Sequence, residues 1–383
     1  MTGPRVGIDY RPALVNREGI GRYTRELVRA AVELGLGPRL CLFATTLAAG
    51  RYSDAELGLA SAHVARLRLR LPSRILGPLM SATGRGVDDW LGGVEVYHHT
   101  QPNLLPVRRA AEVATLFDCL YLDPRGFVDA ASSARMERAS RAQVGRARRI
   151  LVPSRYVARE VVERLGADPQ RVVVAELGCD HVLRAAPDVA GNPGPGPLGP
   201  RGAPYLLTVC RVDARKNHAR MLEAFELLFR SGRPEHWIVA GPRGHGFEEF
   251  AAALERSPAR DRVLWREFVP EHELGALYLG ASAFVFASLG EGFGLPPLEA
   301  MALGVPAVVG DVTSLPELCL DAAVRVDPLD PEAIAWGIET ALGDPGLGER
   351  GRARASCFTW KECARKTFAA YDALLGEAGP GRG

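Results

Sequence analysis

The chain has 383 residues, enough for two or three domains with cores of their own, and its 47% hydrophobic and 24% charged residues are those of an ordinary globular protein. A net charge of +2 argues against an electrostatic nucleic-acid binder, and the seven scattered cysteines, with no Cys-x-x-Cys among them, argue against a disulfide frame or a cysteine zinc site. No basic-then-apolar signal segment opens the sequence and no apolar run reaches membrane-spanning length, so a cytoplasmic protein is expected.

Residues 6–9 read as a short first strand and 10–18 as a polar loop. Gly19-Ile20-Gly21-Arg22-Tyr23 then enters a helix, with Tyr23, Leu27, Ala30 and Ala31 on one side. Glycines at 19 and 21 can bring backbone amides against a phosphate or a sugar, although a plain strand-to-helix turn also accounts for them. A second strand is expected at 39–45. Residues 62–71 alternate Arg66, Arg68 and Arg70 with Leu67, Leu69 and Leu71, as a strand with one exposed face would. Those arginines, with Arg74, make a solvated face or meet an anionic acceptor or lipid headgroups.

Residues 94–97 form the next strand, ending in His98 and His99. Adjacent histidines on a strand point to opposite faces, so they are not a metal pair. A strand at 113–117 leads into Asp118-Cys119-Leu120. After it come a strand at 150–152, a helix at 156–165 and a strand at 171–175. Residues 183–204 are rich in proline and glycine and mark a linker or a loop beside it.

A second alternating series starts with a strand at 205–209. Arg211 and Lys216 follow, ahead of a helix at 219–228. Two cations at a helix start can hold a diphosphate without metal and stabilise charge on a leaving group. The neighbouring Arg215 reads as part of a solvated basic turn. Strands are expected at 237–240 and 263–269, with a helix opening at 270–274. Residues 283–287 are a buried-strand run, and Gly290-Glu291-Gly292-Phe293-Gly294-Leu295 is a loop. Pro296 and Pro297 suit a first helical turn, a short helix covers 298–303, and Gly304 ends it. Strands at 305–309 and 324–326, helices at 331–341 and 360–375 and a disordered tail after 376 complete the pattern. Glu291 and Glu299 flank the mouth of the short helix. There a helix N-terminus favours phosphate, and carboxylates accept vicinal hydroxyls. A nucleotide sugar offers both.

The stretch Glu291-Gly292-Phe293-Gly294-Leu295-Pro296 with Glu299-Ala300-Met301-Ala302 resembles the signature of glycosyltransferase family 4. The resemblance implies an α/β protein of the GT-B fold: two Rossmann-like domains facing across a cleft, with a closing helix that crosses back to the first. Residues 1–182 would bind the acceptor, 205–359 the nucleotide sugar, and about 360–376 would form the closing helix. It implies a retaining, metal-independent hexosyltransferase with no cofactor. Glu291 would lie beside the donor sugar, Glu299 would bind the ribose, and Arg211 and Lys216 would hold the diphosphate. Gly19, Gly21, Gly292, Phe293, Gly294 and Leu295 would line the donor, and the backbone near Val269 would read the base. Asp118 matches the family's His-Asp pair, but Phe117 stands where the family has His. Tyr10 and His98 are the candidate acceptor contacts. The opening Gly-Ile-Gly-Arg-Tyr-Thr resembles mannosyltransferases of polysaccharide assembly, which puts GDP-mannose first as donor and UDP- or dTDP-sugars next. A GT-B epimerase or phosphorylase and a non-catalytic nucleotide-sugar binder stay open, as does peripheral contact with the inner membrane face. Nucleic acid is not expected as a partner.

Overall fold

The computed structural model describes residues 3–47, 53–54, 56–59, 63–185 and 202–376. Most of the expected linker at 183–204, and the expected disordered tail after 376, lie outside the described residues. The chain divides into two units, one of Met1–Leu122, Asp129–Gly178 and Trp360–Gly383, the other of Asp123–Val128 and Cys179–Thr359. The first unit thus hands over at Gly178, a few residues before the boundary expected at 182.

The first unit is built on seven strands: β1 (Val6–Asp9), β2 (Leu40–Thr45), β3 (Ala65–Leu69), β4 (Val96–His99), β5 (Ala111–Thr115), β6 (Arg149–Val152) and β7 (Val172–Val174). Every pairing is parallel and the order is β3-β2-β1-β4-β5-β6-β7. Strands β1, β2 and β4 are buried at every position, as strands covered on both faces must be. The alternating arginine strand is β3, at the sheet edge, where half of its side chains can stay in water. The strand order reverses between β1 and β4, the point where open α/β sheets leave a crevice at their carboxyl edge.

The helix Trp360–Gly376 belongs to this first unit, as expected. Its Phe368, Tyr371 and Leu374 share one apolar cluster with Val6, Ile8, Leu40 and Leu42. The polar side is fastened as well: the Tyr371 hydroxyl lies 2.7 Å from His98 Nδ1, and Lys366 Nζ is 2.6 Å from Glu176.

The second unit repeats the plan with six parallel strands: β8 (Tyr205–Val209), β9 (His236–Ala240), β10 (Val263–Arg266), β11 (Ala283–Phe286), β12 (Ala307–Gly310) and β13 (Val324–Val326). Their order is β10-β9-β8-β11-β12-β13, so the reversal falls between β8 and β11. Its core gathers Phe225, Trp237, Phe250, Ile334 and Ile338. Both segments carrying the expected diphosphate and sugar contacts leave the sheet at this reversal.

Candidate active site

The turn after β8 is held from both sides. Asp213 Oδ1 accepts from the backbone N–H of Lys216 at 3.1 Å. Asn217 adopts a left-handed conformation, φ 65°, which its short polar side chain tolerates. Its Nδ2 donates to Ala287 O at 2.9 Å and to Pro328 O at 2.7 Å, tying this turn to the ends of β11 and β13. The Lys216 ammonium is thereby aimed along the end of β11, 4.7 Å from the centre of the Phe286 ring. A cation over an aromatic face is favourable, more so when both are shielded from water.

Lys216 Nζ donates to Glu291 Oε1 at 2.7 Å. The same oxygen receives the Ser288 hydroxyl at 2.6 Å and Arg215 Nη1 at 3.0 Å. Arg215 Nη1 also donates to the carbonyl of Gly290. Glu291 and Lys216 are both buried, at 7% and 8% exposure. Burial alone would push the Glu291 carboxyl up, but the two cations and the Ser288 hydroxyl outweigh it and bring the pKa down to about 2. Glu291 is therefore an anion at any physiological pH. The reading of Arg215 as a solvated turn residue is corrected here: it is a second cation on the Glu291 carboxylate. The loop backbone is fixed too, because Glu291 N–H donates to Thr313 Oγ1 at 2.9 Å and Ser314 Oγ donates to Glu291 O and Phe293 O.

Glu299 sits in the short helix Leu295–Ala302, whose N-cap Gly294 has φ 110°. Few side chains could take that backbone, and a Cβ there would come within 2.6 Å of Leu315. The Glu299 carboxylate meets two side chains here: His181 Nε2 lies 2.8 Å from Oε1, and the Tyr278 hydroxyl donates to Oε2 at 2.9 Å. Neither His181 nor Tyr278 stood out in the sequence, since nothing in their spacing points at Glu299.

The remaining candidates fall in different places. Arg211 is exposed, with Nη1 3.4 Å from Arg243 O, and is not among the partners of Glu291. Gly292 and Phe293 are buried in the loop, and Phe293 meets Phe358 edge-on. Val269 lies beyond β10, whose strand ends at Arg266 rather than at 269. In the first unit, Gly19 and Gly21 open the helix Gly19–Glu33. A Cβ on Gly21 would come within 1.9 Å of Asn16 O, so that glycine is required by packing, whereas Gly19 has open space around it. Asp118 Oδ1 accepts from Leu120 N–H at 3.1 Å, and Phe117 packs edge-on against Tyr23 with centroids 5.0 Å apart.

His98, a candidate acceptor contact, is turned inward instead. It is fully buried, and its Nε2 lies 2.7 Å from Thr115 Oγ1 while Nδ1 meets Tyr371. Burial, with His99 beside it, pushes its pKa down to about 3, so it is neutral. With both nitrogens committed, it anchors a helix rather than a sugar. Tyr10, the other candidate, is 3% exposed and lines a cavity of about 410 Å³ with Leu14, Leu42, Leu57 and Arg66. Its hydroxyl finds no hydrogen-bond partner among the described residues.

Two family profiles match the sequence, "Glycosyltransferase Family 4" over residues 17–182 and "Glycosyl transferases group 1" over residues 197–356. The chain is 32% identical over 292 residues to the O-antigen chain mannosyltransferase B of Escherichia coli, which covers 73% of this chain and 74% of that one. It is 30% identical over 246 residues to a D-inositol 3-phosphate glycosyltransferase of Nocardia farcinica, covering 61% of this chain and 54% of that one. Among solved structures it is similar to sucrose-phosphate synthase from Thermosynechococcus elongatus, with a TM-score of 0.75 at 18% identity over 98% of this chain and 100% of the other. It is also similar to HepE of Anabaena in complex with UDP and glucose, with a TM-score of 0.72 at 15% identity over 97% and 100%. Likenesses at these identities speak for the fold.

Proposed function

The chain belongs to glycosyltransferase family 4, a hexosyltransferase of the GT-B fold, and from that premise we propose that it moves a hexose from a nucleotide sugar to a hydroxyl acceptor with retention and without a metal. The donor is GDP-mannose by first choice, a reading supported by the mannosyltransferase relative. A UDP- or dTDP-sugar comes next, in keeping with the UDP bound in a protein of the same fold. The acceptor is a glycan, glycolipid or natural product under assembly. The work is done in the cytoplasm, with peripheral contact at the inner membrane face where the acceptor is lipid-linked.

The observation that carries the reading is the shared Glu291 Oε1, which fixes Lys216 and Arg215 beside the glycine-rich loop at the β8–β11 reversal. In the reaction the bond from the anomeric carbon to the diphosphate breaks as the acceptor oxygen approaches from the same face. The departing phosphate oxygen takes the acceptor's proton, so no strong protein base is needed. Lys216, poised and already desolvated, stabilises the growing negative charge at little reorganisation cost. Glu291, ionised and pinned, holds that cation and borders the donor sugar. Glu299, in the first turns of the helix that opens at Leu295, accepts the ribose diol.

The test is direct. Purified protein is offered GDP-mannose, UDP-glucose and dTDP-glucose with candidate glycan acceptors, and released nucleoside diphosphate and product anomer are measured. Nucleotide release only with acceptor, giving a product of the donor's anomeric configuration, is the expected result. An inverted product refutes retention, and loss of activity in chelator refutes metal independence. One observation favours a second reading: Phe117 replaces the expected imidazole and His98 is fully committed elsewhere. A non-catalytic nucleotide-sugar binder would show donor binding with no turnover on any acceptor.

A further inference from the structure

The helix Ser73–Thr83 of the first unit is apolar on both sides. Its inner side drives Leu76 and Met80, both fully buried, into the core with Phe43 and Tyr97. Its outer side leaves Ile75, Pro78, Leu79 and Ala82 exposed, with Ile75 at 49% and Leu79 at 41%. Those positions follow i, i+3, i+4, i+7, which is one stripe along a helix. A stripe of that kind on a water-facing side has no folding role, because folding is served by the opposite one. Its surroundings are basic. Residues 57 to 87 contain no aspartate or glutamate but carry five arginines, and of these Arg70 and Arg85, both exposed, bracket the helix.

The loop carrying exposed Arg108 and Arg109 comes up against Gly86, just past the helix. Two acids follow, Asp88 and the exposed Asp89, and they offset part of this charge. Asp88 is buried and its carboxylate accepts the backbone N–H groups of Arg108, Arg109 and Ala110, while Asp89 accepts that of Gly86. The four exposed arginines, Arg70, Arg85, Arg108 and Arg109, still outnumber these two acids. An exposed apolar stripe with arginines at both ends matches one partner: the interface of a bilayer carrying anionic lipid, where the stripe enters the acyl boundary and the arginines meet phosphate.

We propose that the outer side of Ser73–Thr83, with Arg70, Arg85, Arg108 and Arg109, docks the protein on an anionic phospholipid bilayer. This deepens the peripheral contact read above and rests on it, but it is independent of which sugar is transferred. Each arginine brought to such a surface strengthens binding by about fivefold.

The experiment is flotation of the full chain with vesicles of phosphatidylcholine, with and without phosphatidylglycerol, alongside sugar transfer to a soluble acceptor. Binding only to the anionic vesicles, weakened by salt, is expected. I75S/L79S and R85Q/R109Q should each weaken it roughly tenfold or more, with unchanged melting temperature and unchanged transfer to the soluble acceptor. Absence of binding to anionic vesicles at low salt, or binding that survives both double variants, overturns the proposal. So does a concentration-dependent dimer that I75S/L79S dissolves, which would make the surface an interface between copies. Vesicle binding together with no turnover on any of the acceptors offered above would refute the proposed transfer and leave the docking surface standing.

Discussion

Three donors meet on one oxygen of Glu291, and two of them are cations. The division of labour between those cations can be measured. Lys216→Met should lower kcat/KM for the donor by about 10²–10³, the usual loss for a group that stabilises developing charge. Arg215→Ala acts through the carboxylate it orients, so a loss of about tenfold is expected, with Arg215→Lys recovering part of it. Steady-state kinetics with a fixed acceptor separates the two. The pH dependence of stability follows from the same contacts. The Glu291 pKa is about 2 when folded against 4.5 ordinarily, so the folded protein binds fewer protons than the unfolded one in that interval. Its stabilising share is present in full above about 4.5 and is lost as pH falls towards about 2. Urea unfolding in that window should be less pH-dependent in Glu291→Gln than in the parent.

Two glycines in one helical turn give an element-level test. Gly21 faces Asn16 O so closely that an added methyl must move backbone, and Gly21→Ala should cost about 1–3 kcal/mol. Gly19 has open space, and Gly19→Ala should be neutral or stabilise by up to about 1 kcal/mol through helix propensity. If the Gly19 amide approaches the donor, the same variant raises the donor KM without loss of stability. Thermal melts and kinetics on the two variants check this. The helix Trp360–Gly376 is a second case, since it is held by Phe368 and Leu374 in the core and by the Tyr371–His98 hydrogen bond. Tyr371→Phe leaves His98 Nδ1 buried without its partner, and a loss of about 1–3 kcal/mol is expected in chemical unfolding.

At the scale of the whole molecule, two units have separate cores, and the proposed ligand contacts on the diphosphate and ribose belong to the second. A nucleoside diphosphate at a hundred times its Kd should stabilise by about 2.7 kcal/mol. Calorimetry should show the shift in the transition of that unit, and Glu299→Gln should reduce it at the same nucleotide concentration. Much of this plan was legible in advance. Runs such as the one at 283–287 are continuous and apolar because parallel strands are covered twice, so their existence does not depend on tertiary detail. Lys216, Glu291 and Glu299 were singled out from residue type, spacing and the family resemblance, and the structure joins the first two directly. Arg215, Ser288, His181 and Tyr278 were not, because what they do depends on which distant residue they meet; His181 and Glu299 are 118 positions apart. His98 was misjudged for the same reason, its partner Tyr371 lying 273 positions away.

The last helix being part of the first sheet's core has a consequence for biosynthesis. A ribosome finishes the strands of the β1–β7 sheet early, yet their apolar covering, Phe368, Tyr371 and Leu374, is translated only after all of 179–359. The later-made unit can therefore mature before the earlier-made one, which waits with a greasy face uncovered and is the half that a nascent-chain chaperone would be expected to grip.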